Sequence, residues 1–171
     1  MVALAALVAG GCTQQSGAAA LVEGRTIPVA ELDAATAELG PYLQDATPAA
    51  ILVILVAEPT FERVAAQSGI TVSDQQAREV LDNLSRGAQA GQGTDGAAPG
   101  DFSDGALSVA RFTLLQQQLQ QLPDAERVVA QLNDELLDLD VEVNPRYGRL
   151  DFAEGGILPA DRPWLVAPDP A

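Results

Sequence analysis

The chain has no histidine and no lysine, a single cysteine, and few aromatic residues (4%). Without imidazole or ammonium side chains it cannot assemble a Ser-His, Cys-His or Ser-Lys nucleophile pair. Imidazole and multi-thiolate metal sites are excluded for the same reason. One cysteine cannot form a disulfide within the chain, so a domain exported to an oxidising compartment must be held by its apolar core alone. Positive charge is also scarce: nine basic residues, all arginine, face 24 acidic ones for a formal charge of -15. Nucleic acid is excluded as a partner, since phosphate binding requires clustered positive charge that releases counterions. The same acidity repels anionic lipid headgroups. The apolar run Ala49–Ala57, nine residues long, is far short of the ~20 needed to cross a bilayer.

Carboxylate chemistry remains, either a paired-acid hydrolase or a calcium site. Its nearest candidate is Asp134, Glu135, Asp138, Asp140 and Glu142. A calcium loop places oxygen ligands on a Gly-containing turn, whereas here Leu136, Leu137, Leu139 and Val141 interleave with the acids. The cluster reads as the solvated end of a helix. No catalytic residue, no metal and no cofactor is expected.

The lone cysteine is placed informatively. Val2–Val8 is an uncharged Ala/Leu/Val stretch, followed by Ala9-Gly10-Gly11-Cys12 and then a polar, Gly/Ala-rich run. Small residues before a cysteine suit a lipoprotein signal peptidase, which grips an extended backbone with little room for side chains. The expectation is a signal peptide at residues 1–11 and lipid attachment at Cys12, with a flexible tether over residues 12–19. Two or more acyl chains, at ~0.8 kcal/mol per buried methylene, anchor a protein stably at the extracytoplasmic face of the cell membrane. No basic residue precedes Cys12, and the missing positive n-region points to a translation start upstream of Met1.

The remainder reads as one mainly α domain over residues 20–151 with a small β element at each end. Leu21–Ile27 forms a hairpin or bent strand about Glu23-Gly24. Val29–Leu39 is a first helix, stopped by Gly40-Pro41. Ala49–Ala57 starts a buried central helix that Pro59 must kink or restart, resuming through Phe61, Val64 and Ala65 to a left-handed cap at Gly69. Ser73-Asp74-Gln75-Gln76 is a capping box, and the helix it opens carries Ala77, Val80, Leu81 and Leu84 on one face. The Gly-rich stretch 87–105, with only Phe102 to bury, is expected to be a mobile loop. Leu107–Leu122 is amphipathic, its stripe passing through Leu114 or Leu115. Pro123 ends it, and Asp124 caps a last helix, Ala125–Leu139, that buries Val128, Val129, Leu132, Leu136 and Leu139. Val141–Arg149 follows as a short alternating strand broken by an Asn-Pro turn. Residues 152–171 form a Pro-rich extended tail whose one anchor point is Trp164-Leu165.

Two segments, in this order, resemble the N-terminal domain of the SurA and PrsA family of extracytoplasmic chaperones. Leu21-Val22-Glu23-Gly24-Arg25-Thr26-Ile27-Pro28-Val29-Ala30-Glu31-Leu32 is similar to the family's strand turn leading into a first helix. Phe61–Leu84, centred on Ala65-Ala66-Gln67-Ser68-Gly69-Ile70-Thr71-Val72-Ser73-Asp74, resembles its helix, turn and capped helix. Val143-Asn144-Pro145-Arg146-Tyr147-Gly148 is similar to the closing strand of lipid-anchored actinobacterial members. Family members often carry a parvulin-type prolyl isomerase domain, for which too few residues follow Arg149 and no active-site histidine exists. The resemblance therefore implies a holdase-type chaperone for unfolded or exported polypeptides, without isomerase activity. Phe61, Phe102, Phe112 and Leu115 are the candidates for client binding. The alternatives are an accessory or scaffold lipoprotein that binds one folded envelope partner and a carboxylate-dependent envelope hydrolase.

Overall fold

The computed structural model describes residues 17–91 and 101–158. The fold is mainly α, with five helices and a few small antiparallel strands among the described residues. Strand β1 (Ala18–Val22) turns through Glu23 (φ 49°) and Gly24 (φ 79°) into β2 (Arg25–Pro28). Two successive left-handed residues are the geometry of a tight hairpin whose twist matches its strands. The segment is thus a hairpin, and it belongs to a three-stranded sheet of order β2-β1-β3. Strand β3 (Val141–Val143) returns from the far end of the domain to pair antiparallel with β1. Asn144 fastens the join, its backbone N–H donating to the Ala19 carbonyl at 2.9 Å and its side-chain Nδ2 to that of Ala18 at 3.0 Å.

This sheet corrects the limit set for the tether. Ala18 already lies in a strand and Ala19 is wholly buried. Alanine is weak evidence for a strand; the pairing of Ala18 with Pro28 of β2 and the hydrogen bonds from Asn144 bring these residues into the fold. Residues 1–16 lie outside the described residues.

Helix α1 (Val29–Leu39) buries Leu32, Ala35 and Leu39. Helix α2 (Pro48–Gln67) opens at Thr47, whose hydroxyl accepts from the Ala50 N–H at 3.2 Å, with Pro48 in the first turn. Proline there costs nothing, because that N–H has no helical partner. The helix does not restart at Pro59: α2 runs as one 20-residue helix with the proline inside it. Pro59 withdraws one N–H from the ladder, but Leu55, Val56 and Ala57 before it and Thr60, Phe61 and Val64 after it are all buried. Packing on both sides outweighs the local penalty, as it does for most helices in globular proteins.

The next turn follows the expectation closely. Gly69 (φ 77°) donates to the Ala66 carbonyl at 3.0 Å and Ile70 to that of Ala65 at 2.9 Å, which together make a Schellman cap. The Ser73 N–H donates to Gln76 Oε1 at 2.9 Å while the Gln76 N–H donates to Ser73 Oγ at 3.3 Å, the reciprocal pair of a capping box.

Helix α3 (Asp74–Gly91) runs beyond Gly87, into the segment expected as a loop. Helix α4 (Asp104–Gln120) starts just before Gly105, capped by Ser103, whose Oγ accepts from the Ala106 N–H at 3.3 Å. Helix thus occupies both ends of the expected loop, and its centre, residues 92–100, lies outside the described residues. Gly105 stays within α4 because a Cβ there would sit 3.0 Å from the Ala35 Cβ, so α1 and α4 meet at close quarters.

Helix α5 (Ala125–Leu137) stops two residues short of Leu139. Asp124 occupies its N-cap position without a capping hydrogen bond, because its carboxylate pairs with Arg127 instead. Val129, expected in the core, is exposed. The chain after β3 is not an extended tail from residue 152. Strand β4 (Arg149–Asp151) and strand β5 (Gly156–Leu158) form a second antiparallel hairpin. Gly148 (φ 122°) makes it possible, since a Cβ at that position would lie 2.2 Å from the Leu158 carbonyl oxygen. Residues 159–171 lie outside the described residues.

Two apolar clusters form the interior. One gathers β1, β2, α1, the first half of α2 and the start of α4; the other joins the second halves of α2 and α4 to α5. Phe152 packs against both. No helix among the described residues is long and apolar enough to cross a membrane.

Candidate functional site

The residues proposed for client binding fall into two places. Phe61 and Leu115 are buried in the cluster formed by α2, α4 and α5. Phe112 is half-buried beside them, its ring centroid 4.4 Å from that of Phe61 at an interplanar angle of 53°. A tilted pair at that spacing is a favourable aromatic contact. Phe102 packs on the other cluster. These residues do not line a common groove, and Phe61 and Leu115 offer no surface to a client. The ambiguity between Leu114 and Leu115 is settled for Leu115, which turns inward while Leu114 is half-buried. Cys12, the lipid-attachment candidate, lies outside the described residues.

The acidic candidates at the end of α5 behave as a solvated face. Asp134, Asp138, Asp140 and Glu142 are exposed. Glu135 accepts from Gln131 Nε2 at 2.9 Å and pairs with Arg63 of α2. Those two partners, Gln131 first, hold its carboxyl below the usual range. Among the described residues no group of three or more acids could hold a metal ion.

The most developed polar constellation was not singled out from the sequence. Arg111 of α4 donates from Nε to Glu58 Oε1 at 2.8 Å, from Nη1 to Asp74 Oδ1 at 2.7 Å and from Nη2 to Ser108 Oγ at 2.8 Å. Glu58 is a buried carboxylate on α2 and Asp74 opens α3, so one guanidinium ties three helices together. Its carboxylate partners raise the Arg111 pKa against the opposing effect of burial. The signal available in the sequence was Glu58 itself, a charge set between the apolar run Ala49–Ala57 and Phe61. Buried carboxylates are rare unless paired.

Arg111 borders an open cleft of about 620 Å³ with Glu62, Val72, Ser73, Asp74 and Asp104. Three of the five guanidinium N–H donors are engaged, one on each nitrogen, and two acidic side chains already pair with the charge. The network is a cross-brace between α2, α3 and α4.

A second hollow, of about 270 Å³, is lined by Leu136, Leu137, Leu139, Val141, Leu150, Asp151 and Phe152. A third, of about 390 Å³, lies between the start of α2 and the β4–β5 hairpin, at Thr47, Ala49, Ala50, Val53, Gly155, Gly156 and Ile157. Large apolar side chains exposed among the described residues are Leu43, Val129 and Leu137, of which Leu137, 56% accessible, is the most open.

No family model matches this chain, and no curated protein or solved structure is significantly similar to it.

Proposed function

We propose that this chain is a lipid-anchored, extracytoplasmic polypeptide-binding protein of the SurA and PrsA N-terminal kind, acting without catalysis. The observation that supports this reading is the β2-β1-β3 sheet, in which strand Val141–Val143 returns to the hairpin that leads into α1; of the segment Val143–Gly148 that resembles the family's closing strand, only Val143 lies in it. The Schellman cap at Gly69 and the capping box at Ser73 and Gln76 fall between α2 and α3, where the resemblance expects a turn between helices. Anchoring would come from acyl chains on Cys12, in keeping with an acidic surface that has no affinity of its own for anionic lipid.

Within this reading, the burial of Phe61 and Leu115 favours a protein that binds one folded envelope partner over a general holdase. A holdase needs contiguous exposed apolar surface, and the exposed large apolar residues found here are Leu43, Val129 and Leu137. The test is two-armed. The full chain is assayed for suppressing aggregation of several unrelated unfolded proteins, and crosslinking in cells identifies what the anchored protein touches. Saturable capture of one envelope protein, with no suppression of aggregation, supports the accessory role. Broad suppression supports the holdase. Mass spectrometry of the mature N-terminus tests the anchor separately, and an unmodified Cys12 in membrane-extracted protein removes it.

A further inference from the structure

The hollow between the end of α5, β3 and β4 is unusual in the company it keeps. Six of its seven lining residues are apolar: Leu136, Leu137, Leu139, Val141, Leu150 and Phe152. Leu137 at its lip has 56% of its surface accessible, the highest value of any large apolar residue described. At about 270 Å³ it falls below the ~300–1,000 Å³ of pockets that enclose whole ligands. It is sized for one or two large side chains. The one polar residue of the lining is Asp151, whose carboxylate already accepts from Arg149 and from the Ala153 and Glu154 N–H groups.

The chain itself supplies a segment of matching chemistry. Beyond Leu158, the end of β5, come Pro159, Ala160, Asp161, Arg162, Pro163, Trp164, Leu165 and Val166. Trp164 is the only tryptophan in the protein. An indole offers a large apolar body, which matches the six apolar residues of this lining. The reach is short. Leu158 pairs with Arg149, and Ile157 with Leu150, which lines the hollow. Paired strands lie ~4.8 Å apart, so the chain leaves β5 within one strand of the site. The six steps from Leu158 to Trp164 span up to ~20 Å at ~3.3 Å per residue. Charge agrees as well: Arg162 precedes Trp164, and the exposed carboxylates of Asp138 and Asp140 flank Leu139 at the rim. From these observations we infer that Trp164-Leu165 docks in the hollow between α5, β3 and β4, making the segment after β5 the cover of this apolar face.

The single tryptophan makes the inference directly measurable in the full chain. Its native fluorescence should be blue-shifted relative to the denatured chain and shielded from acrylamide. Leu137→Asp, at an exposed position, should shift that emission to the red and raise the quenching constant several-fold. Leu137→Ser should do so more weakly, while Leu43→Asp leaves both readings unchanged. Far-ultraviolet circular dichroism accompanies each variant to show that the helices persist. Native emission equal to that of the denatured chain overturns the inference. So does a blue shift that Leu137→Asp and Leu137→Ser both leave intact. A blue shift that fades on dilution also overturns it, because it assigns the hollow to a second copy of the chain.

Discussion

Arg111 and Glu58 meet at 2.8 Å across α4 and α2, with only 7% of the Glu58 side chain accessible to solvent. A buried carboxylate left without its partner retains its full desolvation cost. Arg111→Ala should therefore destabilise the fold by about 3 kcal/mol in urea unfolding. Glu58→Leu combined with Arg111→Met should recover most of that loss, since replacing both charges removes the penalty together with the attraction. If the double variant is no more stable than Arg111→Ala, then Asp74 and Ser108, not Glu58, dominate the brace.

Glu31 gives a pH dependence of definite sign. Burial raises its pKa, with Arg25 opposing the shift and Asp104 adding to it. The folded state consequently holds this proton to higher pH than the unfolded chain, and the stability it contributes is lost as pH rises through the folded value. Glu31→Gln should raise the melting temperature at pH 7. At about pH 3, where the carboxyl is protonated in both states, the variant and parent should melt together. A gain of equal size at both pH values would mean that its charge is not the cause.

Gly148 and Gly155 separate two costs that are often confounded. Both have positive φ, at 122° and 92°, but a Cβ on Gly155 meets nothing within 4 Å while one on Gly148 lies 2.2 Å from the Leu158 oxygen. Gly155→Ala should cost about 1 kcal/mol of backbone strain. Gly148→Ala adds a collision with backbone and should cost at least about 3 kcal/mol. Thermal unfolding of both variants checks the ranking, and equal costs would place the β4–β5 hairpin outside the cooperative unit.

Phe61 distinguishes core from client surface. As a buried side chain packed in a tilted pair with Phe112, it should cost about 3–5 kcal/mol on replacement by alanine. A variant of undiminished stability that captures less polypeptide would instead make Phe61 a binding residue.

The five helices and the β1–β2 hairpin could be read from the sequence because their signals are local. The spacing of Ala77, Val80 and Leu81, the Ser73–Gln76 box and Gly69 each specify backbone hydrogen bonds within a few residues. The misreadings also share a cause. Pro59, Ala18-Ala19 and Gly87–Gly91 carry unfavourable local signals, and tertiary partners overrode the first two: the packing around α2, and for the alanines β2 together with Asn144 just beyond β3. The β4–β5 hairpin was missed because Gly148, Gly155 and Gly156 mark turns without stating what they pair.

Among the candidate site residues, the sequence identified large apolar side chains correctly but could not say which way they face. Phe61 and Leu115 sit at positions that favour either a core or a groove, and the choice depends on α5 closing over them. The Arg111 network was equally out of reach, since Glu58 and Asp74 lie 53 and 37 positions away from Arg111.

Composition alone determined the chemistry that this protein lacks, because a missing imidazole or ammonium group cannot be restored by folding. Local patterning determined its helices, because a helical hydrogen bond closes within four residues. Only the tertiary structure decided which apolar residues became core, which carboxylate found its arginine and where the chain closed into a sheet. Those outcomes depend on contacts between segments far apart in sequence, whose loop-closure entropy is recovered only when the whole domain packs.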